Sequence, residues 1–173
     1  MQIKYNFEVI SVKILYFDTR SLLYSHQYIH SDESVHAAFE EWIKTPSTML
    51  LKMVKPDPKG IHRLRSAALE AGLLLYPLGT YYTRELLIEN GVFDEDELAP
   101  EAELPFRMRM DDSDPVRQLI AHAHRLKAEW YVCGDTGSKE LFQPYPERYL
   151  SSRFGEGVTR ELVAKILTLK SVS

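Results

Sequence analysis

A single cysteine, Cys133, stands in all 173 residues, so no disulfide can form within the chain and no zinc site can be built on cysteine spacing. It lies inside the apolar run Trp130-Tyr131-Val132-Cys133, which assigns it to a core and not to reactive chemistry. Long apolar runs are missing too. No stretch approaches the ~18 consecutive apolar residues of a membrane span. The opening Met1-Gln2-Ile3-Lys4-Tyr5-Asn6 lacks the apolar run of a secretory leader. A cytoplasmic protein with no membrane partner is expected. Positive charge is in deficit, with 21 Lys and Arg against 25 Asp and Glu, a net charge of -4. That balance excludes a wholly basic nucleic-acid coat but not a nuclease, whose metal-binding carboxylates themselves lower the pI. No Pro- or Gly-rich linker, repeat or low-complexity tract divides the chain. What is present is ordinary for one soluble domain over residues 1–173: 45% hydrophobic and 27% charged residues, enough to build a core.

Apolar spacing alternates between strand and helix. Phe7 to Phe17 is β-rich and runs into Asp18, predicting a first strand. Val35, Ala38, Phe39, Trp42 and Ile43 recur at helical spacing and predict a helix over 33–44, closed by Pro46. Thr48 to Val54 reads as a second strand. Ile61, Leu64, Ala68 and Ala71 mark a second helix with Gly72 at its C-cap. Leu73 to Tyr76 reads as a third strand cut at Pro77, and Thr83 to Asn90 as a short helix stopped by Gly91. The stretch Asp94 to Glu103 holds six acids and no base, a solvated loop. Asp114 caps and Pro115 opens a helix with Val116, Leu119, Ile120 and Ala123 inward. Trp130 to Cys133 is a fourth strand, and Val158, Leu162 and Ile166 mark a last helix. This alternation implies a single α/β domain, three layers α/β/α around a mainly parallel sheet of about four to five strands.

The aspartates fall at the ends of these elements. Asp18 and Asp135 follow apolar strands, while Asp111, Asp112 and Asp114 open the helix before the last strand. In a parallel sheet the C-terminal strand ends share one edge, where ligands bind. Acidic groups gathered there repel one another unless a cation sits among them, and Mg²⁺ or Mn²⁺ suits such oxygen donors. Read singly, each aspartate is equally a helix cap or turn former.

The segments Phe17-Asp18-Thr19-Arg20-Ser21, Ala71-Gly72-Leu73-Leu74-Leu75-Tyr76-Pro77, Asp111-Asp112 and Gly134-Asp135 together resemble the PIN-like nucleases. Within these they are similar to the NYN branch that includes the ribonuclease domain of CCCH zinc-finger endoribonucleases. The resemblance implies a PIN-like fold and hydrolysis of single-stranded RNA by a Mg- or Mn-dependent endoribonuclease. It implies Asp18, Asp112 and Asp135 as catalytic metal ligands, with Asp111 and Asp114 as outer ligands. Glu85 occupies a place comparable to the Glu that completes smaller PIN sites. The chain departs from the pattern at Ser21, where the family carries Asn, and in a wider separation between the acidic helix start and the last strand. An inactive PIN-like module that binds RNA or a protein partner, as a homodimer or otherwise, therefore stays open beside the enzyme.

Basic and aromatic residues supply candidate RNA contacts. Arg20, Ser21, Arg107, Arg109 and Lys139 neighbour the aspartates, and Lys52, Lys55, Lys59, His62, Arg63 and Arg65 cluster further along. Arg63 and Arg65 read equally as a solvated helix face. Tyr81 or Tyr82 is placed to stack an unpaired base. Gly134-Asp135-Thr136-Gly137-Ser138-Lys139 lacks the spacing of a Walker loop. Asp18-Thr19-Arg20 is similar to a phosphatase nucleophile turn with Arg20 in place of its second acid, so a small-molecule phosphate-processing enzyme is a third reading. His26 and His30, four apart, make an incomplete zinc pair.

Overall fold

The computed structural model describes residues 12–47, 50–79, 82–104, 115–136 and 139–171. Four parallel strands form one sheet in the order β2-β1-β3-β4: β1 (Val12–Asp18), β2 (Leu73–Leu78), β3 (Ala128–Gly134) and β4 (Tyr149–Ser151). In chain order the helices are α1 (Thr19–Leu22), α2 (His26–Ser31), α3 (Glu33–Lys44), α4 (Leu50–Met53), α5 (Pro58–Ala71), α6 (Arg84–Glu89), α7 (Pro115–Arg125), α8 (Lys139–Phe142) and α9 (Arg160–Leu167).

β1 sits between β2 and β3 and is buried on both faces. Leu15 and Phe17 join one apolar cluster, with α1 to α6 and α9; Ile14 and Tyr16 join the other, with α7 and α8. All four are at most 1% exposed. Burying each stabilises the fold by about 1.5–3 kcal/mol. Covered on both sides, the strand has no polar alternation from Ile14 to Phe17, which is why that segment, after Lys13, reads as a continuous apolar run. The three-layer α/β/α architecture expected from the sequence is what the chain adopts. The steps β1 to β2 and β2 to β3 run in opposite directions across the sheet. Their helices lie on opposite faces, as crossovers of one hand require.

Local signals place the two long helices of the first face. α3 is capped by Asp32, whose carboxylate accepts from Ser34 N–H at 2.7 Å, and it turns Val35 and Ala38 inward. α5 starts at Asp57 and Pro58, buries Ile61, Leu64, Ala67, Ala68 and Ala71, and closes at Gly72. Three expectations need correction. The expected strand Thr48 to Val54 is the single helical turn α4, with Thr48 and Met49 outside the described residues. Its pattern explains the error: Leu50 and Leu51 are both buried while Lys52 and Met53 are exposed, and consecutive inward side chains do not fit a strand's alternation. β2 runs through Pro77 to Leu78, because at the sheet edge a missing N–H is tolerated. The three-residue β4 was not expected at all; Tyr149-Leu150-Ser151 is too short to show a period.

The acidic stretch after α6 is strapped down along β2 and is no free loop. Arg65 Nε donates to Glu97 at 2.7 Å and its Nη2 to Asp94 at 3.3 Å, while Arg84 Nε donates to the Ala99 carbonyl at 2.7 Å. Ala99 N–H donates to the Leu75 carbonyl at 2.8 Å, covering part of the β2 edge. On the opposite face Tyr16 Oη lies 2.6 Å from His122 Nδ1, and His122 Nε2 lies 3.0 Å from the Pro100 carbonyl. A carbonyl only accepts, so Nε2 carries the proton and Nδ1 accepts the Tyr16 hydroxyl. This neutral ring ties β1, α7 and the strap together.

Burial holds the His122 pKa below its ordinary value, against smaller opposing effects of the Pro100 carbonyl and Glu101. Protonation thus favours the unfolded chain. Stability should be full above the unfolded value of about 6.5 and fall as pH drops below it. Thermal melts between pH 7.5 and 5.5 should show a steeper acid loss for the wild type than for His122→Gln. Equal slopes would remove this account.

Candidate functional site at the β1 and β3 strand ends

The sheet order places its topological switch between β1 and β3, since the chain leaves β1 for one neighbour and later returns to the other. Ligand crevices of open α/β sheets form outside the carboxyl ends of strands at such a point. Phe17 is level with Cys133 in the register, so Asp18 and the Gly134-Asp135 turn leave adjacent strands side by side. The two strand-end aspartates therefore share one edge.

Three hydroxyls assemble this edge. Asp18 caps α1, its Oδ2 accepting from Ser21 N–H at 3.1 Å. The Ser21 Oγ in turn accepts from Asp135 N–H at 3.0 Å, with its own proton directed at the Asp18 carbonyl 3.5 Å away. Thr19 Oγ1 donates to the Leu78 carbonyl at 2.7 Å, tying the end of β1 to that of β2. On the other side Tyr149 Oη donates to the Gly134 carbonyl at 3.2 Å and accepts from Thr136 N–H at 3.4 Å. Gly134 makes the approach possible: its φ is +113°, and a Cβ there would lie 2.8 Å from the Asp18 Cβ and 2.9 Å from Ser21 Oγ. Only glycine leaves room for the turn.

Electrostatics mark Asp18. Burial raises its pKa above the ordinary carboxylate value, the Asp135 charge adds to the rise, and the Ser21 contacts and the Arg20 charge oppose it. Burial also raises the Cys133 thiol, with Asp18 contributing, so this buried cysteine is the inert core residue expected. A desolvated carboxylate next to a second one is the donor chemistry a hard cation relieves.

The other sequence candidates divide. Arg20 is exposed beside Asp18. Ser21 is fully buried with its hydroxyl engaged, so it braces the aspartates and does not face a ligand. Glu85 is exposed in the first turn of α6, and among the described residues no three His, Cys, Asp or Glu side chains group closely enough to hold a metal. Asp111, Asp112, Asp114, Arg107, Arg109 and Tyr81 lie outside the described residues, as does the side chain of Lys139. Arg65 is engaged by the acidic strap and Arg63 Nη1 donates to the Val158 carbonyl at 3.2 Å, so both have structural partners. His26 and His30 are exposed on α2 and join no metal group among the described residues. Thr19 and Tyr149 were missed. A hydroxyl directly after a strand-end acid could have signalled Thr19; nothing local marked Tyr149.

Two outcomes follow. Asp18→Asn keeps a capping group but cannot ionise. Because the folded pKa is raised, the charged form is disfavoured once pH exceeds the folded value. The variant should therefore melt higher than wild type at pH 7, by roughly 2–4 °C for each 1 kcal/mol relieved, and the gap should close as pH falls below about 4. Gly134→Ala should destabilise by at least about 1–3 kcal/mol from backbone strain alone, read as a lowered denaturation midpoint. Compared with protein-family models, with curated proteins and with solved structures, the chain matches none.

Proposed function

We propose that the protein hydrolyses phosphodiester bonds of single-stranded RNA as a Mg²⁺- or Mn²⁺-dependent endoribonuclease, in the manner of the PIN-like and NYN nucleases its motifs resemble. The observation that carries the reading is the pairing of Asp18 and Asp135 at the switch point, with Asp18 desolvated and next to a second negative charge. Such a pair gains most from a divalent cation. The cation would offset charge growing on the phosphoryl oxygens and lower the pKa of a bound water. Asp18 and Asp135 would hold it, and Asp112, flanked by Asp111 and Asp114, is the sequence candidate for the remaining ligand position.

The chain's own groups have separate tasks in this reading. Ser21 and Thr19 tie the end of β1 to the Asp135 backbone and to the end of β2, which holds the two aspartates on neighbouring strand ends. Arg20 stands at the mouth to receive a phosphate. A polar cleft of about 720 Å³ opens beside β4, lined by Arg153, Arg160 and Lys165 among others. Ser152 N–H donates to the Gly134 carbonyl at 3.1 Å, so the cleft wall adjoins the Asp135 turn. Glu156 and Glu161 line the cleft too, and Arg153 lies 4.0 Å from Glu156, so the wall is mixed in charge with a small cationic excess toward a polyanion.

Purified protein should cut single-stranded RNA with Mn²⁺ or Mg²⁺ and stop with EDTA, and Asp18→Asn should abolish cutting while the fold survives. Mn²⁺ at a hundredfold excess over its dissociation constant should stabilise the native state by about 2.7 kcal/mol, and Asp135→Asn should blunt that gain. Ser21 in place of the family's Asn raises one rival, an inactive module. A flat melting response to Mn²⁺ with RNA binding retained would select it, and undiminished cleavage by Asp18→Asn would place the chemistry elsewhere.

A further inference from the structure

Four aromatic side chains close a ring near Asp18. Tyr24 lies 5.9 Å from Phe39, Phe39 5.8 Å from Trp42, Trp42 6.2 Å from Tyr82, and Tyr82 6.4 Å from Tyr24, centroid to centroid. They line a cleft of about 310 Å³, which Arg20 and Phe154 also border. The rim differs from a core. Phe154 is 52% exposed, and Arg20 is exposed as well.

Most of this lining arrives from the same sheet edge as the aspartates. Arg20 and Tyr24 follow β1, Tyr82 follows β2, and Phe154 follows β4. The Phe154 loop is fastened to the start of α2. His26 N–H donates to the Gly155 carbonyl at 2.8 Å, and the rings of His26 and Phe154 meet edge-on at 6.1 Å. Gly155, at φ +92°, permits this: a Cβ there would come within 2.5 Å of the His26 ring. Arg20 borders the cleft and is two residues from Asp18, so the cleft opens beside the end of β1 that carries that carboxylate.

An aromatic box suits either a quaternary ammonium or a flat π-system. The guanidinium at the rim repels the first and complements a phosphate carried by the second. We propose that the cleft seats the unpaired base of a nucleotide against its aromatic walls, with the attached phosphate at Arg20 beside the Asp18–Asp135 edge. This rests on the phosphodiester reading for what lies next to the carboxylates, but the binding itself needs neither metal nor cleavage. It also supplies a reason for single-strand preference, since a paired base must first leave its stack.

Trp42 and Trp130 are the two tryptophans, so Trp130→Phe leaves Trp42 as the reporter. In EDTA, adenosine monophosphate and uridine monophosphate should change Trp42 fluorescence saturably and bind more tightly than the corresponding nucleosides. Phe154→Ala, at an exposed position, should weaken nucleotide and nucleoside alike by roughly tenfold, the order of one lost base–aromatic stack. Arg20→Gln should weaken the nucleotides only. No saturable change with any nucleotide would overturn the proposal, as would nucleotide binding that ignores Phe154→Ala. Binding of tetramethylammonium in place of nucleotides would overturn it in favour of a cation cage. Nucleotide binding without any metal-dependent RNA cleavage would leave the cleft standing and remove the hydrolytic reading, and cleavage without cleft binding would do the reverse.

Discussion

The Ser21 hydroxyl takes the Asp135 N–H at the ends of two neighbouring strands, and the geometry of the whole edge depends on that contact. It is short because Gly134 has no side chain to hold the turns apart. It is protected because Ser21, within α1, is fully buried. A single hydroxyl thus links two strand ends that a parallel sheet would anyway place on one side, and it sets the Asp135 backbone beside the Asp18 cap. Thr19 and Tyr149 extend the same bracing outward to β2 and β4. Among the described residues, each strand is thus hydrogen-bonded to a neighbour at this edge.

That bracing has an energetic counterpart. β1 is covered on both faces, so the strand delivers Asp18 into surroundings with little water. The fold then holds a carboxylate whose charged form it disfavours, next to a second acid that adds to the penalty. The two apolar clusters offset this locally unfavourable arrangement through many buried side chains, each worth about 1.5–3 kcal/mol. Local strain sustained by a well-packed frame is a pattern associated with function more often than with stability.

Elements whose signal is local were legible in the chain. The apolar spacing of Val35 to Ile43 and of Ile61 to Ala71, with Pro46 and Gly72 as stops, yielded α3 and α5, and the doubly buried part of β1 showed itself as the apolar run Ile14 to Phe17. The strand-end position of Asp18 and Asp135 followed from the same reading. Failures came where tertiary context decides. Leu50 and Leu51 look like a strand until the sheet is seen to pair β1 with β2 and β3 instead. Pro77 looks like a terminator until β2 proves to be an edge. The acids Asp94 to Asp96 are solvent-exposed as read, but nothing local showed that Arg65 of α5 pairs with Asp94 and Glu97. Tyr82 was readable as a stacking residue and Phe39 and Trp42 as neighbours on one helix, but their meeting with Tyr24 was not, because three separate segments supply the ring.

Charge around this edge is mixed in sign. Arg20 stands on one flank of the carboxylate pair, and the cleft on the other holds Arg153, Arg160 and Lys165 interleaved with Glu156 and Glu161. At physiological salt, charges beyond about 8 Å count for little. What a ligand meets there is therefore set by its immediate neighbours and not by the net charge of -4. Those neighbours follow from the order β2-β1-β3-β4, which sets the Asp18 and Asp135 strand ends side by side at the switch point.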